Sequence, residues 1–257
     1  MPAEPTSRRR RSKTALPASA LYGNGSSRLL AIPALVLAGL LCWHVFNVGM
    51  ASAWYFKASN YVDLWIKNEK LFTEHSWQDA TAAIYKAVEL HPTHPHYLLV
   101  KAKINEWGWY GGLMTSQQLE QTENYYRRAI AMRPTWPNAY ADYAYYLGVT
   151  QFRVTEAFAQ LANARQYGPF QPESSLRQLS VGFANWAHLN PAQKTQTLKA
   201  LKPAVSADMR VFNQALALAN NAGLQRLACT YLKASKDEFT ELQQTQIQSR
   251  FCLKPLR

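Results

Sequence analysis

The first large contrast between apolar and charged positions lies near the start of the chain. The 28 residues from Leu29 to Phe56 contain no Lys, Arg, Asp or Glu. Because a helix rises about 1.5 Å per residue, the part from Leu29 to Met50 spans about 33 Å, enough to cross the roughly 30 Å hydrocarbon core of a bilayer. The pattern predicts a transmembrane signal-anchor helix over residues 29–56.

The charges that precede this helix predict its orientation. Residues 1–28 hold six Lys or Arg residues and one acidic residue, Glu4, whereas Trp54, Tyr55 and Phe56 end the apolar stretch. Basic residues remain on the cytoplasmic side, and aromatic rings settle at the membrane boundary. We therefore expect a disordered basic cytoplasmic tail over residues 1–28. The main domain would lie in the periplasm, as part of a single-pass protein of a bacterial inner membrane.

Two alternatives to a retained anchor remain open. Ala51-Ser52-Ala53 fits the small-residue pattern of a signal-peptide cleavage site. The apolar stretch is nevertheless longer than the roughly 7–15 residues of a typical signal peptide, which favours retention. A buried core helix is a second alternative, but the arginine cluster in front of the stretch argues against it.

After the apolar stretch, small, large and small residues recur in a fixed order that ends in a proline. The spacing A-x3-large-x2-A-x4-P occurs three times, with offsets of 42 and 35 residues. Small residues allow two helices to approach closely, and the proline ends the second helix. The members are Ala80, Ile84, Ala87 and Pro92, then Thr122, Tyr126, Ala129 and Pro134, then Ala157, Leu161, Ala164 and Pro169.

This spacing resembles the tetratricopeptide repeat, which has a period of 34 residues and an A-x3-F…P second helix. The resemblance implies an all-α fold, in which tetratricopeptide-like helix pairs occupy residues 57–172. A degenerate helical region is expected over residues 173–257. Within it, Asn190-Pro191 is predicted to begin a helix that reaches Leu201 and ends before Pro203. The larger first offset indicates about eight inserted residues, and Trp107-Gly108-Trp109-Tyr110-Gly111-Gly112 is the candidate insertion, predicted to form a loop between two helices.

Cysteine usage leaves one pairing open. Cys42 lies in the predicted anchor, whereas Cys229 and Cys252 lie in the exported part, where oxidising conditions permit a disulfide. A plain helical hairpin that turns near Ser235 would carry Cys252 about eleven residues, or roughly 16 Å, past the level of Cys229. A bond would require the chain to leave the helix near Ser249.

Candidate chemistry is sparse, and no cofactor, metal or catalytic residue is predicted. His91, His94 and His96 are interrupted by prolines, which favour a turn over a converging set of ligands. Glycoside hydrolysis would need two facing carboxylates, and the spacing of the acidic residues pairs none of them. The net charge of +12 suits an anionic polysaccharide or lipid as a neighbour. A nucleic-acid partner is not expected behind a membrane anchor.

Helical-repeat proteins bind through a concave wall built from the first helix of each repeat. In the register above, this wall carries Lys103, Glu106, Asn138 and Tyr145. The aromatic residues of the predicted loop are further candidates for contact with a partner or a sugar, namely Trp107, Trp109 and Tyr110. For the four wall residues, a structural role in helix packing is an equally good interpretation. For the aromatic residues of the loop, the favoured interpretation is that they cap the core.

The stretches AIYKAVELHP, YYRRAIAMRPTWPNAYADYA and LANARQYGPF, behind a basic tail and one anchor, resemble the VpsP-type polysaccharide biosynthesis proteins. The resemblance implies a membrane-anchored, non-enzymatic scaffold that assists bacterial exopolysaccharide biosynthesis, polymerisation or export. Its partners would be other polysaccharide synthesis or export proteins. A general envelope assembly factor, serving cytochrome maturation or secretion, is the alternative function for the same architecture.

Overall fold

The computed structural model describes residues 25–71 and 73–252. Most of the predicted cytoplasmic tail, residues 1–24, lies outside the described residues. Every regular element in the described part is helical, so the prediction of an all-α chain is confirmed. The α-helices are α1 Gly25–Asn68, α2 Glu74–Leu90, α3 Pro95–Tyr110, α4 Ser116–Glu120, α5 Thr122–Met132, α6 Pro137–Tyr145, α7 Val154–Tyr167, α8 Pro172–Ala184, α9 Pro191–Lys199, α10 Leu201–Ser206, α11 Met209–Asn221, α12 Gln225–Ala234 and α13 Glu241–Gln246.

The chain divides into two compact units, Met1–Gly49 and Met50–Arg257. In the first unit the described residues belong to α1, and the side chains from Ala31 onward are exposed or, at Asn47 and Val48, half-buried. By length and composition, α1 can cross a membrane between Ala31 and Asn68, with a mean hydropathy of 1.9 in its most apolar window. This helix is the candidate anchor predicted from the sequence.

The second unit is a succession of packed helix pairs. The second helices α2 and α5 pack on the first helix α3, and the second helix α7 packs on the first helix α6. Neighbouring first helices also touch one another, α6 with α8 and α8 with α11. The recurring small and large positions of the sequence pattern are buried in all three copies, with exposed fractions of 0–1% from Ala80 to Ala164. Burial at these positions confirms that the repeat encodes the helix crossings.

Helix starts follow the local chemistry of the sequence. Proline occupies the first turn of α3, α6, α8 and α9, where its missing N–H has no helical partner to lose. Side chains cap α2, α4, α9 and α13, and each capping residue forms a reciprocal pair with the residue three positions later; the caps are Thr73, Thr115, Asn190 and Thr240. The sequence alone therefore indicates most helix starts.

Two boundaries differ from the prediction. The helix α3 continues through Trp107, Trp109 and Tyr110, so the prediction that these residues form a loop is wrong, and only Gly111 and Gly112 begin the turn. Within this continuation, Gly108 permits the close approach of α2, because a Cβ at that position would collide with the indole ring of Trp77. The inserted residues of this repeat instead form the turn after Tyr110 and the short helix α4.

The prediction that the helix after Asn190 reaches Leu201 and stops before Pro203 is also wrong. The helix α9 ends at Lys199, and Pro203 lies in the first turn of a separate helix, α10. Proline is tolerated there for the same reason as at the other helix starts.

Cys229 and Cys252 form a disulfide bond, with Cα atoms 5.2 Å apart. The hairpin considered from the sequence has a longer connection, because α12 ends at Ala234 and α13 begins only at Glu241. After Gln246 the chain changes to a wider π-helical turn, Ile247–Phe251, which packs on α12. The later helix start and the wider turn bring Cys252 to the level of Cys229.

Candidate functional site

The inner surface of the repeat unit carries two adjoining cavities. The larger, here called the outer cavity, has a volume of about 490 Å³ and is lined by residues at the end of α1 and on α3, α6, α8 and α11. The smaller, the inner cavity, has a volume of about 320 Å³ and reaches from α1, α3 and α5 to α6 and α8. First helices supply most of both linings, as expected for the concave wall of a helical repeat.

The structure brings together most of the residues that the sequence nominated for this wall. Lys103 and Tyr145 line both cavities, Asn138 lines the outer one, and Glu106 lines the inner one. Trp107 and Tyr110 also line the inner cavity. Trp109 does not line either cavity and packs against the main core cluster instead.

Two further residues of this wall were not nominated from the sequence. Asp142 lies between two cations: Lys103 Nζ is 2.6 Å from Oδ2, and Arg177 Nε donates to Oδ1 at 2.9 Å. Three helices, α3, α6 and α8, thereby meet at one carboxylate. A signal was present in the sequence, because Asp142 follows Asn138 by four positions and therefore shares its helix face. Which cation would pair with it depended on the packing of neighbouring helices.

The cations decide the protonation state of Asp142. Burial by itself would raise the pKa of this carboxyl, because it disfavours the charged form. The adjacent Lys103 ammonium and Arg177 guanidinium outweigh burial and hold the pKa of Asp142 below its ordinary value. The guanidinium of Arg177 also lies 4.7 Å from the ring centre of Tyr145, which fixes its plane against the groove wall.

Glu106 forms the floor of the inner cavity and is 5% exposed. The Tyr126 hydroxyl donates to its Oε1, and the Thr150 hydroxyl donates to its Oε2 at 3.0 Å. Because Thr150 has only one hydroxyl hydrogen, the Tyr110 hydroxyl, 2.9 Å away, must donate to Thr150 in turn. Burial raises the pKa of Glu106 to about 7, although the hydrogen bonds from Tyr126 and Thr150 oppose the shift.

A local irregularity positions Thr150. Residues Tyr146–Thr150 form a π-helical turn that continues α6, and such turns widen a helix by one residue. The side chain of Asn185 donates to the carbonyl of Gly148 at 3.0 Å, so this backbone group keeps a partner. The widened turn brings Thr150, 44 residues away along the chain, within hydrogen-bond distance of Glu106.

Glu106 should make the free energy of unfolding fall between pH 4.5 and 7. In that window the folded state holds a proton on Glu106 that the unfolded state has released, so stability decreases as pH rises and levels off above pH 7. The full shift corresponds to about 3 kcal/mol. We expect urea unfolding of the wild type to show this loss relative to Glu106→Gln, which cannot titrate.

The comparison with Glu106→Gln separates the effect of the Glu106 carboxyl on the pH dependence of stability from the effects of other titrating groups. Burial lowers the pKa of His94 and His96, and these groups would make stability rise with pH in both proteins. If stability depends on pH in the same way in the wild type and Glu106→Gln, burial does not raise the pKa of Glu106 in the folded protein.

Three carboxylates line the inner cavity, and two of them, Glu106 and Asp142, have structural partners on each oxygen. Glycoside hydrolysis requires a facing pair of carboxylates, and the inner cavity does hold both Glu106 and Asp142. Asp142 is ion-paired through both of its oxygens, and Glu106 accepts hydrogen bonds at both of its own. This arrangement is that of carboxylates that hold helices together.

The rings of the histidine cluster pack against aromatic neighbours. The His94 ring lies 4.3 Å from that of Tyr97, and the His96 ring lies 4.1 Å from that of Trp136. In the part of the chain that the structure describes, no group of three or more His, Cys, Asp or Glu side chains is arranged to hold a metal ion.

Comparison with known proteins gives structural similarity only. No family model and no curated protein matches the chain. The crystal structure of PilW, described as a widely conserved type IV pilus biogenesis factor, is similar with a TM-score of 0.48 and 19% identity, covering 79% of this chain and 86% of that one. TTC0263, a thermophilic TPR protein of Thermus thermophilus, is similar with a TM-score of 0.44 and 14% identity, covering 76% of this chain and 100% of that one. Because both TM-scores are below 0.5, the helical-repeat assignment rests on the packing of this chain's own helices.

Proposed function

We propose that this chain is a membrane-anchored scaffold that faces the periplasm and binds a protein partner in its groove, assisting bacterial exopolysaccharide biosynthesis or export. The observation that carries the proposal is the continuous inner wall formed by α3, α6, α8 and α11, whose polar side chains are already held in place. A preorganised wall lowers the entropy cost of binding an extended partner. The scaffold performs no catalysis.

The composition of the outer cavity supports a protein partner. Its rim carries Glu173 and Arg210, an exposed pair 3.1 Å apart, and its wall alternates apolar residues such as Leu176 and Leu218 with amides such as Gln214. Rim charges of both signs steer and orient a partner, while the apolar positions between them contribute burial. The polysaccharide process itself comes from the resemblance of the repeat stretches to VpsP-type proteins.

A charged side chain placed inside the outer cavity should block this function without unfolding the domain. Gln214 is exposed and lines the outer cavity, so Gln214→Arg adds bulk and charge to the wall while removing little packing. We expect exopolysaccharide output of the native host to fall at least tenfold, with normal protein level and helical content. Asn220→Arg, on the same helix but outside the cavity, is the matched control and should leave output unchanged.

Two other outcomes would change the proposal. Equal output from Gln214→Arg and the wild type would exclude the outer cavity as the working surface. Normal exopolysaccharide after deletion of the whole gene, combined with a defect in cytochrome maturation or secretion, would replace the polysaccharide process with a general role in envelope assembly.

A further inference from the structure

We propose that the inner cavity binds one neutral sugar residue of a polysaccharide chain. The inference rests on the proposed function only for the source of that sugar, because the chemistry of the cavity is independent of it. The cavity lies beside the outer one and shares Lys103, Asp142, Tyr145 and Arg177 with it. A sugar bound in the inner cavity would therefore lie next to a partner held in the outer cavity.

The size and the apolar part of the lining suit a sugar ring. A volume of about 320 Å³ lies at the lower end of the range for small-molecule sites, which are concave and combine apolar walls with a few convergent polar groups. Trp107, Tyr110 and Tyr145 supply three aromatic side chains to this one cavity. A pyranose ring presents C–H groups on its faces, and these pack against aromatic rings.

Unused hydrogen-bonding capacity supplies the polar part. Arg177 uses Nε on Asp142, and no described residue accepts a hydrogen bond from its Nη1 or Nη2. Lys103 has three N–H donors and directs one at Asp142, while each carboxylate oxygen of Asp142 and Glu106 has a second lone pair. The cavity thus offers donors and acceptors together. A sugar hydroxyl needs both, because it donates one hydrogen bond and accepts up to two.

The charges of the cavity favour a neutral ligand. Its two cations, Lys103 and Arg177, face three acidic groups, Asp142, Glu69 and Glu106. The chain carries a net charge of +12, but this surplus does not collect in the inner cavity. An anionic sugar would meet three carboxyl groups there, so the anionic polysaccharide considered from the overall composition does not suit this site.

The test uses the full chain in lipid nanodiscs, without detergents that carry sugar headgroups, since these would occupy the site. The probes are maltotriose, mannotriose and galactotriose, and the readouts are saturation-transfer NMR on the sugar and tryptophan fluorescence. We expect at least one trisaccharide to bind in the millimolar range or tighter. Tyr110→Ala, which removes a half-exposed ring, should weaken binding at least tenfold, whereas Tyr110→Phe, which keeps the ring, should retain it.

Matched variants separate this inference from the proposed function. Gln214→Arg, which changes only the outer cavity, should bind the sugar normally even where it abolishes exopolysaccharide output. Helical content, measured by circular dichroism, should be equal in all variants. The inference is overturned if none of the three sugars binds, if Tyr110→Ala binds as well as the wild type, or if a trisaccharide of uronic acids or a peptide binds the inner cavity in preference to the neutral sugars.

Discussion

Replacing Asp142 with alanine is expected to destabilise the repeat domain by about 3–5 kcal/mol, the usual cost of removing one partner from a buried ion pair. Asp142 is 8% exposed and forms ion pairs with both Lys103 and Arg177. Without it, two cations from different helices would face each other across the groove floor. Urea unfolding followed by circular dichroism measures the loss.

Two comparisons make this result specific to the buried network. Glu173→Ala breaks the exposed pair with Arg210, and such a pair contributes about 0–1 kcal/mol. Replacing Lys103, Asp142 and Arg177 together with methionine, leucine and methionine should restore most of the lost stability, because apolar groups of similar volume often match a buried ion pair. If Asp142→Ala costs no more than Glu173→Ala, the three residues do not act as a buried network.

Loss of the disulfide should have the second large effect. The two cysteines are 23 positions apart, and a closed loop of that length stabilises a folded domain by about 3 kcal/mol in the chain-entropy description. We expect Cys229→Ser with Cys252→Ser to lower stability by that amount. Hydrogen exchange should increase mainly in α12, α13 and the turn after α13, which are the elements that the bond joins.

Thiol counting provides the direct measurement. The chain has three cysteines, and Cys42 is free. The denatured but unreduced protein should therefore react with one equivalent of maleimide, and the reduced protein with three. Reaction with three equivalents before reduction would show that Cys229 and Cys252 are not bonded in the protein. For the stability measurement, Cys42→Ser is the control and should leave stability unchanged.

The periodic part of the fold could be predicted from the sequence because each repeat encodes its own crossing. Ala129 and Ala164 are small where helices touch, Tyr126 and Leu161 fill the adjacent space, and all four are buried. Burial of this kind repeats with the helix period, so the pattern can be recognised in the sequence alone. The course of residues 107–110 could not be predicted, because glycine and aromatic residues suit a loop as well as a close helix crossing.

The candidate site could be predicted in part. Lys103, Glu106 and Tyr145 could be assigned to the inner wall because they lie on one face of a first helix, and position on a helix face is a local property. The importance of Arg177 could not be assigned, since its partner Asp142 lies 35 residues earlier in the chain. The same holds for Thr150, whose approach to Glu106 depends on a π-helical turn for which the sequence shows no clear signal.

The sequence by itself determined an apolar segment long enough to cross a bilayer, an all-α domain of repeated helix pairs, and the helix face that forms the groove. These features follow from periodicity and local chemistry, which act over a few residues. Only the tertiary structure decided that Asp142 joins three helices, that Glu106 is buried under two hydroxyl groups, and that Cys252 reaches Cys229. Each of these contacts joins residues at least 20 positions apart, and the packing of whole helices sets their distance and their shielding from water.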